Sequence, residues 1–435
     1  MLNQEKIQVG SIVKGLLALS IILGLTFEDY GGPQRLELAT LHSESCKLPS
    51  LASVTREWAL SGHWGLASSV EEDQLYGMGE AITIQVGNSE RYVDGCGPGD
   101  ARNPVLKLRW MYNGSSSPQG NFPSFPRWSR SETCRALGGR WVLVVGDSLS
   151  GEFYDSLVSS LYVSSEFTRP VSRAPTRKLC DDGPYPPLNA SFVNFDHLTF
   201  KPDLIDFPLW RDTAKEILYH VRQAEAVGAQ TIVVLNRGAH VKSDVEGDLQ
   251  PPFTHDQIFS AHLSRLNFTI EWFKKTIPSA PLFWRTTTTG HPLCRHTLNS
   301  PPLAIPQNLS DTSVDWEALE GSDYFHRFHW DLIPEQNART LAALPPMVHV
   351  LDVAPATALR HDSHPHFKYK HRERQDCLHY CLPGPVDMWV ELFAANVRYG
   401  EYGGKEFFTE QQLRTLCAAG TAIKKSRHSL FNWNS

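Results

Sequence analysis

Trp141 to Val145 (WVLVV) is a continuously apolar, largely β-branched run that stops at Gly146, and it narrows the possible folds more than any other segment. A strand without a polar face must be covered on both sides, as happens in parallel sheets flanked by helices. The segments around it repeat that logic. Glu152 to Leu161 reads as helix. Arg211 to Val227 has helical spacing up to Gly228 and is followed by the strand Thr231 to Leu235 (TIVVL). Phe259, Leu263, Leu266, Ile270 and Phe273 recur at intervals of three and four, Pro278 ends the helix, and Pro281 to Thr286 (PLFWRT) is the next strand. Glu335 to Leu344 leads in the same way into Val348 to Val353. Successive helix-strand units of this kind predict an α/β fold with a doubly wound parallel sheet and helices on both faces, over residues 136–435.

Residues 28–135 lack a sustained period. Gly, Pro and Ser are frequent there, which predicts an irregular, disulfide-tied extension. Before it, Gly15 to Phe27 is apolar and can be stretched back to Val9 only by including Lys14. With Lys14 snorkelling, 9–27 approaches the roughly 20 residues a spanning helix needs. Lys6 and Lys14 precede the apolar core and Glu28 and Asp29 follow it, so the expected arrangement is a cytosolic tail over 1–8 and a membrane signal anchor, with a cleaved signal peptide as the alternative. Sequons at Asn113, Asn189, Asn267 and Asn308 and an even number of cysteines, 8, fit a lumenal or secreted domain whose pairing spacing alone does not reveal. The net charge of -6 has no basic stripe within it, so nucleic acid is not an expected partner.

In a doubly wound sheet the ligand site lies beyond the carboxyl ends of the strands. The first strand is followed by Gly146-Asp147-Ser148, where glycine allows a tight exit turn and Ser148 opens a helix with its backbone N–H available to an oxyanion. Serine is also a common helix cap. After the second strand come Asn236, Arg237, Gly238, Ala239 and His240; the Asn236 amide is a candidate oxyanion donor and Gly238 allows close backbone approach, while an asparagine turn explains the same residues structurally. Arg285, at the end of the third strand, is a candidate substrate contact or a surface arginine.

The most specific string is Asp376-Cys377-Leu378-His379-Tyr380-Cys381-Leu382-Pro383-Gly384, followed by Asp387 and Trp389. A carboxylate three residues before a histidine can meet its Nδ1–H within one turn of chain and leave Nε2 to take a proton from a serine. The order Ser148, Asp376, His379 then fits acyl transfer through an acyl-serine. A rival reading groups His361, His364, His366, His371, Cys377, His379 and Cys381 around a metal; their spacing matches no standard zinc pattern, and no metal is expected, with His361, His366 and His371 read as exposed loop histidines.

These segments resemble the trichome birefringence-like proteins and their relatives, the PC-esterase branch of the SGNH (GDSL-like) superfamily. The resemblance runs through GDSLS at Gly146 to Ser150, NRGAH at Asn236 to His240, FWRT at Phe283 to Thr286, RHDSHP at Arg360 to Pro365 and DCLHYCLPGPVDMW at Asp376 to Trp389. It implies a flavodoxin-like three-layer fold, a Ser148–His379–Asp376 triad, and O-acetyl transfer to glycan hydroxyls in the Golgi from an acetyl donor, without a further cofactor. Gly151-Glu152 stands where plant members carry an Arg-Asn pair, and Tyr380 replaces their tryptophan. A carbohydrate acetyl esterase would use the same residues; a non-catalytic glycan-binding lumenal protein would have no need of all three together.

Overall fold

The computed structural model describes residues 62–66, 108–111, 129–161, 176–195, 208–241, 254–292, 294, 301–304, 306, 330–369, 372–382 and 384–399. All lie within one compact unit, Lys47–Ser435. The leader at 9–27, Asn113 and Asn308 fall outside the described residues. Among the described residues no helix is long and apolar enough to cross a membrane.

In chain order the strands are β1 (His63–Leu66), β2 (Leu108–Met111), β3 (Arg140–Gly146), β4 (Arg177–Leu179), β5 (Leu188–Asn194), β6 (Gln230–Asn236), β7 (Leu282–Arg285), β8 (Val348–Leu351), β9 (His366–Tyr369) and β10 (Arg372–Gln375). The helices are α1 (Arg130–Leu137), α2 (Ser148–Leu161), α3 (Pro208–Ala226), α4 (His255–Thr276), α5 (Ile333–Ala343), α6 (Ala354–Thr357) and α7 (Pro385–Tyr399). Six strands form one sheet in the order β4-β5-β3-β6-β7-β8. Five of them are parallel, while the edge strand β4 runs antiparallel to β5, so the sheet is mixed where an all-parallel one was expected. The chain steps from β3 outward to β5 and then crosses back to β6 on the other side of β3. That reversal is a topological switch point, and in sheets of this kind it marks the carboxyl end of β3 as the place to look for a ligand site.

Alternation along the strands explains the three layers. Val142, Val144, Ile232, Val234 and Phe283 face one side and pack with Phe153 and Leu157 of α2 and Trp389 and Phe393 of α7. Trp141, Leu143, Val145, Val233, Leu235 and Trp284 face the other, against Ile217 and Val221 of α3 and Leu266, Ile270 and Phe273 of α4. Each such side chain removed from water contributes about 1.5–3 kcal/mol. The periodic positions of α4 expected from sequence are the ones buried, with Leu263 at the margin, and a capping box from Thr254 and Gln257 starts the helix.

Two parts of the architecture depart from the expectation. Strand β5 went unrecognised because Leu188-Asn-Ala-Ser-Phe-Val-Asn lacks the apolar run of its neighbours, yet it pairs with β3 along its length. Within it, Asn189 sits between Trp141 of β3 and Lys178 of β4, a poor position for a glycan, whereas Asn267 is exposed on α4. The 28–135 stretch contains regular structure where it is described: β1 and β2 pair antiparallel, and α1, with a Ser129–Glu132 capping box, runs across position 136. Trp64 donates its indole N–H to the Ala356 carbonyl at 2.9 Å and lies under the Arg360 guanidinium at 4.5 Å, so these strands pack on the sheet domain. Cys134 of α1 is bonded to Cys180 at the end of β4.

Candidate active site

The register places Gly146, Asn236 and Arg285 side by side where β3, β6 and β7 end. A Cβ on Gly146 would collide with the Asn236 carbonyl oxygen, so the close approach of these two strand ends requires glycine. Helix α2 begins immediately afterwards. Its cap is Asp147, not Ser148: Oδ1 of Asp147 accepts the N–H groups of Leu149 at 3.1 Å and Ser150 at 3.3 Å. Ser148 therefore occupies the first helical position, with its side chain exposed and an N–H that no carbonyl within the helix can reach.

Asp376 to Leu382 is an irregular loop, and hydrogen bonds from several directions hold it over Ser148. Oδ1 of Asp376 accepts the N–H groups of Leu378 and His379, both at 3.2 Å, which bends the chain until the histidine ring lies beside the carboxylate. Nδ1–H of His379 donates to Oδ2 of Asp376 at 2.8 Å, and the Ser148 hydroxyl donates to Nε2 of His379 at 2.7 Å. Burial disfavours the imidazolium, but the Asp376 carboxylate and its hydrogen bond outweigh burial and push His379 up to about 9. Burial likewise opposes the Asp376 charge, and the His379 cation with its hydrogen bonds holds that carboxyl below the usual range. From behind, His364 donates Nδ1–H to the His379 carbonyl at 2.6 Å, and the Cys294–Cys377 disulfide fixes the residue between Asp376 and Leu378.

The remaining expected residues are internal. Asn236 is fully buried; its Nδ2 donates to the Arg285 carbonyl at 2.7 Å and Oγ1 of Thr287 at 3.0 Å, so both amide hydrogens expected to serve an oxyanion are committed within the fold. Arg285 is also fully buried. It donates to Oδ1 of Asn236 at 2.7 Å and Oγ of Ser150 at 3.3 Å, lies 3.9 Å from Asp147 and stacks on Trp389 at 4.6 Å. It is a strut under the turn, not a surface or substrate contact. Burial, partly offset by Asp147 and Glu152, lowers it to about 10. A Cβ on Gly238 would land on the Thr287 side chain, so its close approach is to protein and not to ligand. His361 is buried at 4% exposure, contrary to the exposed-loop expectation. Cys377 and Cys381 are both disulfide-bonded, which removes the thiolates a metal site would have needed.

Sequence reasoning gave no role to Glu152 or His291, and weighed His364 only in the metal grouping. Glu152 lies one helical turn beyond Ser148 on the same face of α2, a spacing that could have revealed it. His291 and His364 contact each other at 2.7 Å between ring nitrogens, and only the fold brings them together.

Residues 319–396 match the family model described as PC-Esterase, the GDSL/SGNH-like acyl-esterase family found in Pmr5 and Cas1p. Over these residues the chain is similar to the PC-esterase family. The matched stretch contains Asp376, His379 and most of α7, and the fold sets it against Ser148. Curated relatives of the PC-esterase segment include xyloglucan O-acetyltransferase 1 of Arabidopsis thaliana, 44% identical over 68 residues, which cover 14% of this chain and 16% of that protein. Xyloglucan O-acetyltransferase 2 of Populus trichocarpa is 38% identical over 64 residues, covering 13% and 15%. Xyloglucan O-acetyltransferase 4 of the same species is 42% identical over 52 residues, covering 11% and 12%. The match thus spans about a sixth or less of the length of each relative.

Proposed function

We propose that this PC-esterase protein is an O-acetyltransferase acting on glycan hydroxyls through an acetyl-Ser148 intermediate. The observation that carries the reading is the unbroken hydrogen-bond line Ser148–His379–Asp376, with contacts of 2.7 and 2.8 Å. In the first half-reaction Nε2 of His379 takes the Ser148 hydroxyl proton as Oγ attacks the acetyl carbonyl carbon. The tetrahedral oxyanion faces the Ser148 N–H at the start of α2, then collapses, and His379 returns the proton to the departing donor group. In the second half a sugar hydroxyl attacks the acetyl-serine, gives its proton to His379, and Ser148 recovers it. Asp376 keeps Nδ1 protonated, so Nε2 is the nitrogen presented to the serine.

The relatives' names point to xyloglucan as the acceptor to try first. The disulfides and the apolar leader support a lumenal enzyme of the secretory pathway, held in the Golgi membrane by residues 9–27. A second reading, an acetyl esterase, is favoured by the exposure of Ser148, which gives water a path to the acyl-enzyme, and by the acyl-esterase description of the family. Incubating the protein with an activated acetyl ester and deacetylated xyloglucan oligosaccharides separates them: acetylated oligosaccharide is the expected product, free acetate alone would leave the esterase, and no turnover with either would sink both.

A further inference from the structure

Glu152 is a charged-type side chain in an unusual place. It is 3% exposed, sits one turn beyond Ser148 on α2, and accepts the Tyr380 backbone N–H at 3.1 Å through Oε1, while Oε2 is buried without a hydrogen-bond partner. We propose that Glu152 is a positioning residue for His379: it clips the Tyr380 amide to the nucleophile's own helix and so sets the imidazole over Ser148.

The argument rests first on geometry. Ser148 and His379 come from segments 231 positions apart, and their 2.7 Å contact survives only if helix and loop are held in register. His364 and the Cys294–Cys377 disulfide tie the loop to other loops. Glu152, by contrast, ties it directly to α2, next to the histidine. A displacement of about 1 Å at such a contact costs on the order of a hundredfold in rate.

Chemistry decides the form of the group. A buried carboxylate with one oxygen unpartnered is costly, so the neutral acid is favoured. The groups that act on it are His379, Asp376 and the Tyr380 amide from the loop and Asp155 from its own helix; Arg285 from β7 lies within its field, and the Asp387 carboxylate of α7 is engaged one turn further on with Ser156 at 2.6 Å. Burial raises Glu152 to about 8, against the opposing pull of His379 and the Tyr380 amide. As the acid it holds the loop through the Tyr380 amide; once ionised, above about 8, it also adds its charge to the field that keeps the proton on His379.

The inference rests on the acyl-serine reading for its rate effects, and its test has a readout that does not. In the full chain, Glu152→Ala should slow Ser148 acetylation about ten- to a hundredfold in kcat with little change in the donor KM. Glu152→Gln, whose amide oxygen still accepts the Tyr380 N–H, should recover most of that loss. NMR of labelled histidine should also show His379 titrating at lower pH in Glu152→Gln than in the wild type, because the charge that retains its proton is gone, and the acid limb of the rate should move with it. An unshifted His379 titration in Glu152→Gln would overturn the proposal, as would a Glu152→Ala enzyme that acetylates at the wild-type rate. A shifted titration in a wild-type protein that never acetylates would defeat the acyl-serine reading and leave the Glu152–His379 link standing.

Discussion

The two halves of the site are built by different means. Ser148 stands at a junction of regular elements, where β3 and α2 are locked by core packing on both sheet faces and by the buried Asn236–Arg285 strut. Asp376 and His379 stand on a loop with neither helix nor strand, held by a disulfide, by Glu152 and His364, and by the turn that Asp376 makes with its own backbone. Ser148 is thus placed by burial, which a single substitution weakens but seldom erases. His379 is placed by a handful of polar contacts, each of which matters to its angle.

That contrast can be broken at several points. The largest effect is expected at Asp376→Asn, which removes the charge that orients and stabilises His379; acetylation rates should fall about 10⁴-fold while the melting temperature moves little, as single-turnover kinetics and thermal unfolding would show. The next is pH. His379 is a base only when neutral, and its proton is retained up to about 9. The rate should climb close to tenfold per unit as pH rises toward that value and then level off, and a profile already flat at pH 7 would mean that Asp376 does not hold the proton as described.

Replacing Cys294 and Cys377 by serine should loosen the loop and leave the α2 end intact. The expected result is a loss of about 2–4 kcal/mol in chemical denaturation, with faster hydrogen exchange concentrated in 376–382. Gly238→Ala probes the opposite side. Its methyl group must displace Thr287, and with it a partner of Asn236, so a destabilisation of about 1–3 kcal/mol is expected, spread over the strand ends. If instead the glycine change disturbed the loop and the disulfide change the sheet, the division between the halves would be wrong.

Legibility from sequence follows the same division. The strands WVLVV, TIVVL and PLFWRT and the apolar stripe of α4 were readable because burial on two faces, or on one stripe, leaves a periodic mark. β5 was not, since its polar residues sit in a sheet whose neighbours supply the apolar contacts. At the site, the spacing of Asp376 and His379 pointed to their contact, because a turn over three residues is a local event. The commitments of Asn236 and Arg285 to each other could not be read, as they depend on the register of β6 against β7. On Gly146-Asp147-Ser148 alone a helix cap explained Ser148 best, and the resemblance pointed instead to a nucleophile; the structure gives the capping to Asp147, which holds the first amides of α2. For the histidine cluster, composition suggested exposure or metal; burial assigns His361 and His364, and disulfide bonding Cys377 and Cys381, to the structure around the loop.

The central claim is that Ser148 carries the acetyl group, and intact-protein mass measurement after incubation with an activated acetyl ester tests it directly. The wild type should gain about 42 Da, one acetyl group, mapped by peptide analysis to Ser148, and Ser148→Ala should gain nothing. Equal labelling of both proteins, or an adduct on any other residue, would contradict it.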